Sequence, residues 1–342
     1  MSIDSSEAVD FKPLFNLRSK SAAPSTRRKA VARPDSRSGD IYRMSSALHL
    51  AVEVAMTTGR PLLLRGEPGT GKSSLAPYLA RCLGWRFYEH VVMSTSTATD
   101  LLWRFDAVKR LATAQAGDKT AEEDFVSPGV LWWALNRKSA LVFAKRVNGN
   151  EPNAEINAAR DPYRAVVLID EIDKAHPDLP NGLLVALGSN QIAIPYLDKP
   201  VEIETDDPPA LDLPKGTDVS PVQIVITTNE ERELPTAFVR RCVTFSLAHP
   251  DSKQLVEIAR AHFDRKDDPF GTPDKELALA IAKRVEELRK GVKFGAHKPS
   301  TAEFLDAFRA CRVRGVKPKE GDPLWQLIER ISLTKPGIGS LV

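Results

Sequence analysis

A parallel α/β fold joined to an all-helical second domain is the architecture this sequence predicts, and three observations predict it. Short apolar runs at 62–64, 165–169 and 222–227 alternate with segments of helical period. That is the pattern of strands buried on both faces beneath crossover helices. The first run opens into a glycine-rich loop, Gly66-Glu67-Pro68-Gly69-Thr70-Gly71-Lys72-Ser73, before a helical pattern begins. Beyond Pro250, apolar stripes at helical spacing fill 251–264, 275–290 and 301–314, and no strand pattern appears.

Three segments follow from this pattern: a disordered basic arm over 1–40, an α/β nucleotide-binding domain over 41–249, and a helical lid with its tail over 250–342. The arm is rich in Ser, Ala, Pro and Arg, a composition too polar to bury a core. Within it Phe11, Leu14, Phe15 and Leu17 form an apolar cluster suited to docking on a partner or on the body of the chain. A helix is predicted over 41–58, stopped by Gly59-Arg60-Pro61. Next come the 62–64 strand, the loop, and a helix to Leu83 in which Pro77 predicts a bend. A strand is expected over 86–93, and a helix from Asp100 through Trp103. Residues 112–124 and 148–160 read as polar loops, with an apolar helix between them that includes Trp132 and Trp133. The 165–169 strand ends at Asp170-Glu171, and 179–187 carries a helical stripe. Residues 198–218, acidic and proline-rich, predict a surface loop or hairpin. The 222–227 strand ends at Asn229. Ser300 with Glu303 makes a capping box for the third lid helix.

The loop fits G-x-x-x-x-G-K-[ST], a phosphate-binding pattern. Glycine lets successive backbone amides curl around a polyphosphate, and the following helix N-terminus adds donors and a positive dipole end. Gly66, Glu67, Pro68, Gly69, Thr70, Gly71, Lys72, Ser73 and Ser74 are therefore the candidate nucleotide-binding residues. Lys72 would reach the β/γ-phosphates, and Ser73 would hold Mg²⁺. In open α/β sheets ligands bind at the carboxyl ends of the strands. Asp170 ends a strand there and is the second candidate Mg²⁺ ligand. Glu171, one residue on, is suited to orient or deprotonate an attacking water. Asn229, whose amide both donates and accepts, would fix that water. The Arg240-Arg241 pair reads as a solvated face or as a finger to a neighbouring subunit's γ-phosphate, with Arg241 favoured.

Composition narrows the classes. No apolar run approaches the ~18 residues of a membrane span, and the first ten residues lack an apolar signal core. Cys82, Cys242 and Cys311 are scattered, without metal-ligand spacing, so a cytoplasmic protein with packed thiols is expected. Net charge is +3, and residues 1–40 hold eight Lys/Arg against five Asp/Glu. The remaining chain is thus neutral, which argues against a broad nucleic-acid-binding surface.

Together these motifs resemble the AAA+ ATPases. Walker A (66–73), Walker B with its acid (166–171), a sensor strand (224–229), the arginine pair and a helical lid occur in AAA+ order. Asp170-Glu171-Ile172-Asp173-Lys174-Ala175 with Leu183-Leu184-Val185-Ala186-Leu187 is similar to the MoxR branch. So are Asp100-Leu101-Leu102 with Pro128-Gly129, and Glu233-Leu234-Pro235. The resemblance spans about residues 41–315. It implies a P-loop NTPase core with a five-stranded parallel sheet in the order 5-1-4-3-2, ATP with Mg²⁺ at subunit interfaces, and usually a homo-hexameric ring. It also implies that Lys298, in Lys298-Pro299-Ser300-Thr301, is the lid's sensor-2 contact to phosphate, where the family commonly has arginine; a surface lysine is the other reading. Insertions near 95–125 and 188–220 fall where the family carries loops facing pore or partner. MoxR-type ATPases remodel or mature a protein substrate, often with a von Willebrand A-domain partner, which here would be a separate chain. The alternative is a motor or switch subunit of a nucleic-acid-associated or defence complex, contacted through the basic arm.

Overall fold

A computed structural model describes residues 12–15, 17, 41–117, 120–204, 218–291, 298–319 and 321–334. The chain forms two units. Of the described residues, the first takes 12–15, 17, 44–66, 73–117, 120–204 and 218–246; the second takes 41–43, 67–72, 247–291, 298–319 and 321–334.

In the first unit, helix α1 (Ser46–Thr58) begins later than the expected residue 41. Ser45 is extended, and its hydroxyl accepts the Leu48 N–H at 3.2 Å, which caps the helix there. Gly59, at φ 68°, closes the other end. Strand β1 (Leu62–Arg65) follows, then α2 (Lys72–Leu83), which holds Pro77 inside it, and β2 (Trp85–Val91). Helix α3 (Ala98–Leu102) stops one residue short of the expected Trp103, which is extended and opens β3 (Trp103–Phe105). Asp106 caps α4 (Ala107–Gln115) by accepting the Lys109 N–H at 2.8 Å, and the helix runs into the first residues of the polar loop expected over 112–124. A 3₁₀ turn (Glu122–Phe125) leads to β4 (Val126–Pro128), antiparallel to β3, and to helices α5 (Val130–Leu135) and α6 (Arg137–Arg146). The expected loop at 148–160 contains a single helical turn, α7 (Ala154–Asn157). Strand β5 (Asp161–Asp170) is longer than its apolar core and is followed by a 3₁₀ turn (Ile172–Lys174). The expected 179–187 helix is two short ones, α8 (Asp178–Gly182) and α9 (Leu184–Ser189). Pro180-Asn181-Gly182 is a poor helix-forming run, and it falls at the break. A small hairpin pairs β6 (Gln191–Ile192) with β7 (Val201–Glu202); the rest of the predicted acidic loop, 205–217, lies outside the described residues. Strand β8 (Val222–Thr227), α10 (Thr236–Val239) and β9 (Val243–Ser246) complete the unit.

Five strands form one parallel sheet in the spatial order β2-β5-β8-β1-β9. This numeral string differs from the expected 5-1-4-3-2 because the strands of two small hairpins, β3/β4 and β6/β7, enter the count. Numbering the five sheet strands alone gives 2-3-4-1-5, which is 5-1-4-3-2 read from the other edge. Seven consecutive residues of β5, from Arg164 to Asp170, are buried, as a central parallel strand requires. The core includes Leu63, Val167, Ile169 and Ile226, with Trp132 and Trp133 of α5. Each large apolar side chain buried this way contributes about 1.5–3 kcal/mol.

In the second unit, α11 (Ser252–Phe263), α12 (Thr272–Gly291), α13 (Thr301–Arg314) and α14 (Pro323–Glu329) pack around Leu255, Ile281, Val285, Phe304, Phe308 and Trp325. The expected capping box is present: Ser300 accepts the Glu303 N–H while Glu303 accepts the Ser300 N–H. Burial raises the thiols of Cys242 and Cys311 to about 12 and about 11, so both behave as packed apolar residues. Among the described residues no helix is long and apolar enough to cross a membrane.

Most of the 1–40 arm, including Phe11, lies outside the described residues. Phe15 and Leu17 do not project as a free cluster; they are buried on the first unit, at 8% and 3% exposure.

The join between the β3–β4 hairpin and α5 is testable at Gly129. Its N–H donates to the Leu102 carbonyl at 3.0 Å, and a Cβ there would collide with the Leu101 carbonyl, meeting its carbon at 2.5 Å. Gly129→Ala should lower the unfolding free energy by about 1–3 kcal/mol in urea denaturation. An unchanged midpoint would show that this backbone approach is not close in solution.

Candidate functional site

Parallel register puts the carboxyl ends of β1, β5 and β8 at one edge of the sheet. Leu64 lies opposite Thr227, and Ile169 opposite Ile226. Ser73, in the first turn of α2, donates its hydroxyl to Asp170 Oδ1 at 2.6 Å. Thr227, fully buried, donates to the same oxygen at 2.7 Å. Asp170 is 1% exposed, and these two hydroxyls supply the donors that a buried carboxylate needs.

Glu171 follows in left-handed backbone, φ 60° and ψ 50°, an uncommon conformation for a residue with a long side chain. Its N–H donates to Thr227 Oγ1 at 2.8 Å, which holds the turn. Its two oxygens have separate partners. Asn229 Nδ2 donates to Oε1 at 3.2 Å, and Lys174 Nζ donates to Oε2 at 2.5 Å. Asn229 is itself held by its backbone: the amides of Asn229 and Glu231 both donate to Asp173 Oδ2, at 3.1 and 2.9 Å. Asp173 is 2% exposed. Arg65 and Glu230 pair beside this turn.

The glycine-rich loop is continuous in chain with Gly66 and Ser73. Gly66, Gly69 and Gly71 have φ of 135°, 79° and 94°, values at which any side chain strains the backbone. Lys72 Nζ and Thr70 Oγ1 both donate to the Glu67 carbonyl, at 2.8 and 3.0 Å. Pro68 is exposed and Ser74 half-buried. Within the second unit the Glu67 carboxylate receives Lys298 Nζ at 2.5 Å and faces His249 Nε2 at 3.0 Å. The Lys298 bond holds the Glu67 carboxyl below the ordinary carboxylate range.

The predicted residues therefore fall into three groups. Ser73 with Asp170, and Glu171 with Asn229, are brought together. The loop lysine and Lys298 are both engaged by Glu67. Arg240 and Arg241 are exposed at the end of α10, where Arg241 Nη1 donates to the Ala237 carbonyl at 3.1 Å within its own turn. Sequence reasoning missed Thr227, Asp173 and His249. A signal existed for two of them: Thr227 is polar at the end of an otherwise apolar strand, and Asp173 repeats the acid of Asp170 three residues on.

The residues fit a nucleotide phosphate with Mg²⁺. The loop's glycines hold positive φ that side chains would strain, and a helix starts at Lys72. Ser73 and Asp170 offer adjacent hard oxygen donors of the kind Mg²⁺ takes alongside phosphate and water. Among the described residues no group of three or more His, Cys, Asp or Glu is placed to hold a metal ion.

A family model described as AAA domain (dynein-related subfamily) matches residues 61–242, more than half of the chain. No curated protein matches it. Among solved structures, a mutant of RuvB from Thermotoga maritima is similar at 16% identity and TM-score 0.42, over 83% of this chain and 67% of that one. The Thermotoga maritima RuvB Holliday junction branch migration motor is similar at 15% identity and TM-score 0.39, over the same shares of the two chains. Likeness at this level says nothing about substrate.

Asp173→Ala would strand two backbone amides at the turn that carries Asn229. It should lower the unfolding free energy by about 1–3 kcal/mol in urea denaturation. A stability equal to that of the parent chain would remove Asp173 from the support of this turn.

Proposed function

This chain belongs to the AAA domain family, dynein-related subfamily, and from that premise we propose that it hydrolyses ATP at the interfaces of a homo-oligomeric ring to remodel or mature a separate protein. The observation that carries the reading is the pairing of Ser73 with Asp170 beside the Glu171–Asn229 pair, at the edge where the phosphate loop begins.

In this reading the loop amides and Lys72 bind the β/γ-phosphates, and Lys72 exchanges the Glu67 carbonyl for a phosphate oxygen. Ser73 and Asp170 would hold Mg²⁺, whose charge offsets that of the phosphate oxygens. Glu171 orients a water and accepts its proton as the water oxygen attacks the γ-phosphorus; the bond to the β-γ bridging oxygen breaks, leaving ADP and phosphate. Each Glu171 oxygen carries one donor, Lys174 or Asn229, and keeps a second lone pair that can accept from the water. Asn229 keeps the carboxylate in register through Asp173. Lys298, which donates to Glu67, would trade that carboxylate for phosphate as a sensor-2 residue. Arg241, exposed and donating to the Ala237 carbonyl of its own turn, serves a neighbouring copy. A guanidinium there stabilises charge that develops during transfer.

The MoxR-like motifs support a ring of six, a protein substrate, a von Willebrand A-domain partner and a cytoplasmic setting. The neutral charge of residues 41–342 favours a protein substrate over nucleic acid.

Glu171→Gln should bind ATP as the parent chain does and lose about 10²–10⁴-fold in turnover. Arg241→Ala should assemble yet hydrolyse poorly, and mixing the two variants should restore part of the activity, because each supplies the group the other lacks. ATPase rates and labelled-nucleotide binding check both. Normal turnover in Glu171→Gln would remove it as the water activator, and no recovery on mixing would remove the finger between copies.

A further inference from the structure

Glu53 is the buried charge that the nucleotide reading leaves unexplained. It lies in α1 at 4% exposure, among residues that face the core, including Val52, Ala55 and Met56. A carboxylate withdrawn from water requires donors. Two come from the N-terminal segment: the amides of Leu14 and Phe15 both donate to Glu53 Oε1, at 2.5 and 2.9 Å. His49 Nε2 lies 3.4 Å from the same oxygen, one turn earlier on α1. On α2, the Tyr78 hydroxyl donates to the Leu17 carbonyl at 2.6 Å, and Cys82 Sγ lies 3.5 Å from it. The Leu17 N–H turns back to the Phe15 carbonyl at 3.1 Å. That tight turn accompanies the burial of both Phe15 and Leu17, while Lys12 and Pro13 stay exposed.

We propose that Glu53, Tyr78 and the surface around them form a peptide-binding site whose occupant is this chain's own segment 12–17. Recognition divides as it does in other peptide sites: main-chain bonds supply affinity, and pockets for two apolar side chains supply specificity. The peptide it fits offers two successive amides to a carboxylate, then a carbonyl to a phenol, with large apolar groups at the Phe15 and Leu17 positions. The segment stays attached through the chain that leads to α1, so an emptied site keeps its own occupant in reach. The segment bridges α1 to α2, the helix that starts at Lys72 and carries Ser73, so a filled site braces the helix that follows the phosphate loop. The assignment does not depend on nucleotide hydrolysis, and its test uses none.

The full chain carrying Phe15→Asp and Leu17→Asp presents an emptied site. Titrated with a labelled peptide of residues 10–20, it should bind saturably. The parent chain should bind the same peptide at least ~10-fold more weakly, because its own tethered segment competes at high effective concentration. A peptide carrying the two Asp substitutions should also bind the variant at least ~10-fold more weakly. In the parent chain, amide exchange across 12–17 should run at least ~10-fold slower than in the free peptide, a readout independent of the variant's folding. The proposal is overturned by equal peptide binding to both chains, by equal binding of both peptides, or by exchange across 12–17 at the free-peptide rate.

Discussion

One carboxylate oxygen, Asp170 Oδ1, is the point on which the site depends. It accepts from Ser73 at 2.6 Å and from Thr227 at 2.7 Å, so three elements of the sheet edge meet on one buried acceptor. Removing either hydroxyl would leave a charge at 1% exposure short of a donor, a loss larger than the ordinary worth of one hydrogen bond. Thr227 also accepts the Glu171 N–H, and that bond coincides with the left-handed turn of Glu171. The same contact that seats the candidate metal ligand thereby aims the candidate water activator. Asp173 extends the arrangement by one more turn, holding the backbone on either side of Glu230.

The phosphate loop shows a second kind of constraint. Glu67 engages Lys72 through its carbonyl and Lys298 through its carboxylate, so one residue occupies both cations that a phosphate chain would attract. In the proposed reading, polyphosphate, which carries more charge than a carbonyl or a single carboxylate, would draw both lysines away. Residues 67–72 cluster with the second unit although their flanks, Gly66 and Ser73, belong to the first.

Much of this arrangement was legible in the sequence because its parts are local. The glycine spacing, the continuous 165–169 run ending in two acids, and the Ser300–Glu303 capping pair each need only a few adjacent residues. What escaped depends on partners distant in sequence. Thr227 matters because β8 lies beside β5 in register, and Asp173 because its carboxylate meets a turn 56 and 58 residues away. Strand β9 is four residues long, Val243-Thr244-Phe245-Ser246, too short to show a period, and becomes a strand by pairing with β1. Trp103 was read as helical because it continues an apolar run; pairing with Pro128 makes it extended. Phe15 and Leu17 were visible as an apolar cluster, but Glu53, which receives the segment, sits 38 residues from Phe15 and resembles any surface glutamate of a helix.

The central claim is that Asp170 and Ser73 form the site at which Mg²⁺ joins nucleotide to the sheet edge. Titrating ATP into the parent chain and into Asp170→Asn by calorimetry, with and without Mg²⁺, tests it most directly. The account predicts that Mg²⁺ tightens ATP binding by at least ~10-fold in the parent chain, and that Asp170→Asn removes most of that gain while binding metal-free ATP as before. An equal Mg²⁺ dependence in the two proteins would contradict it.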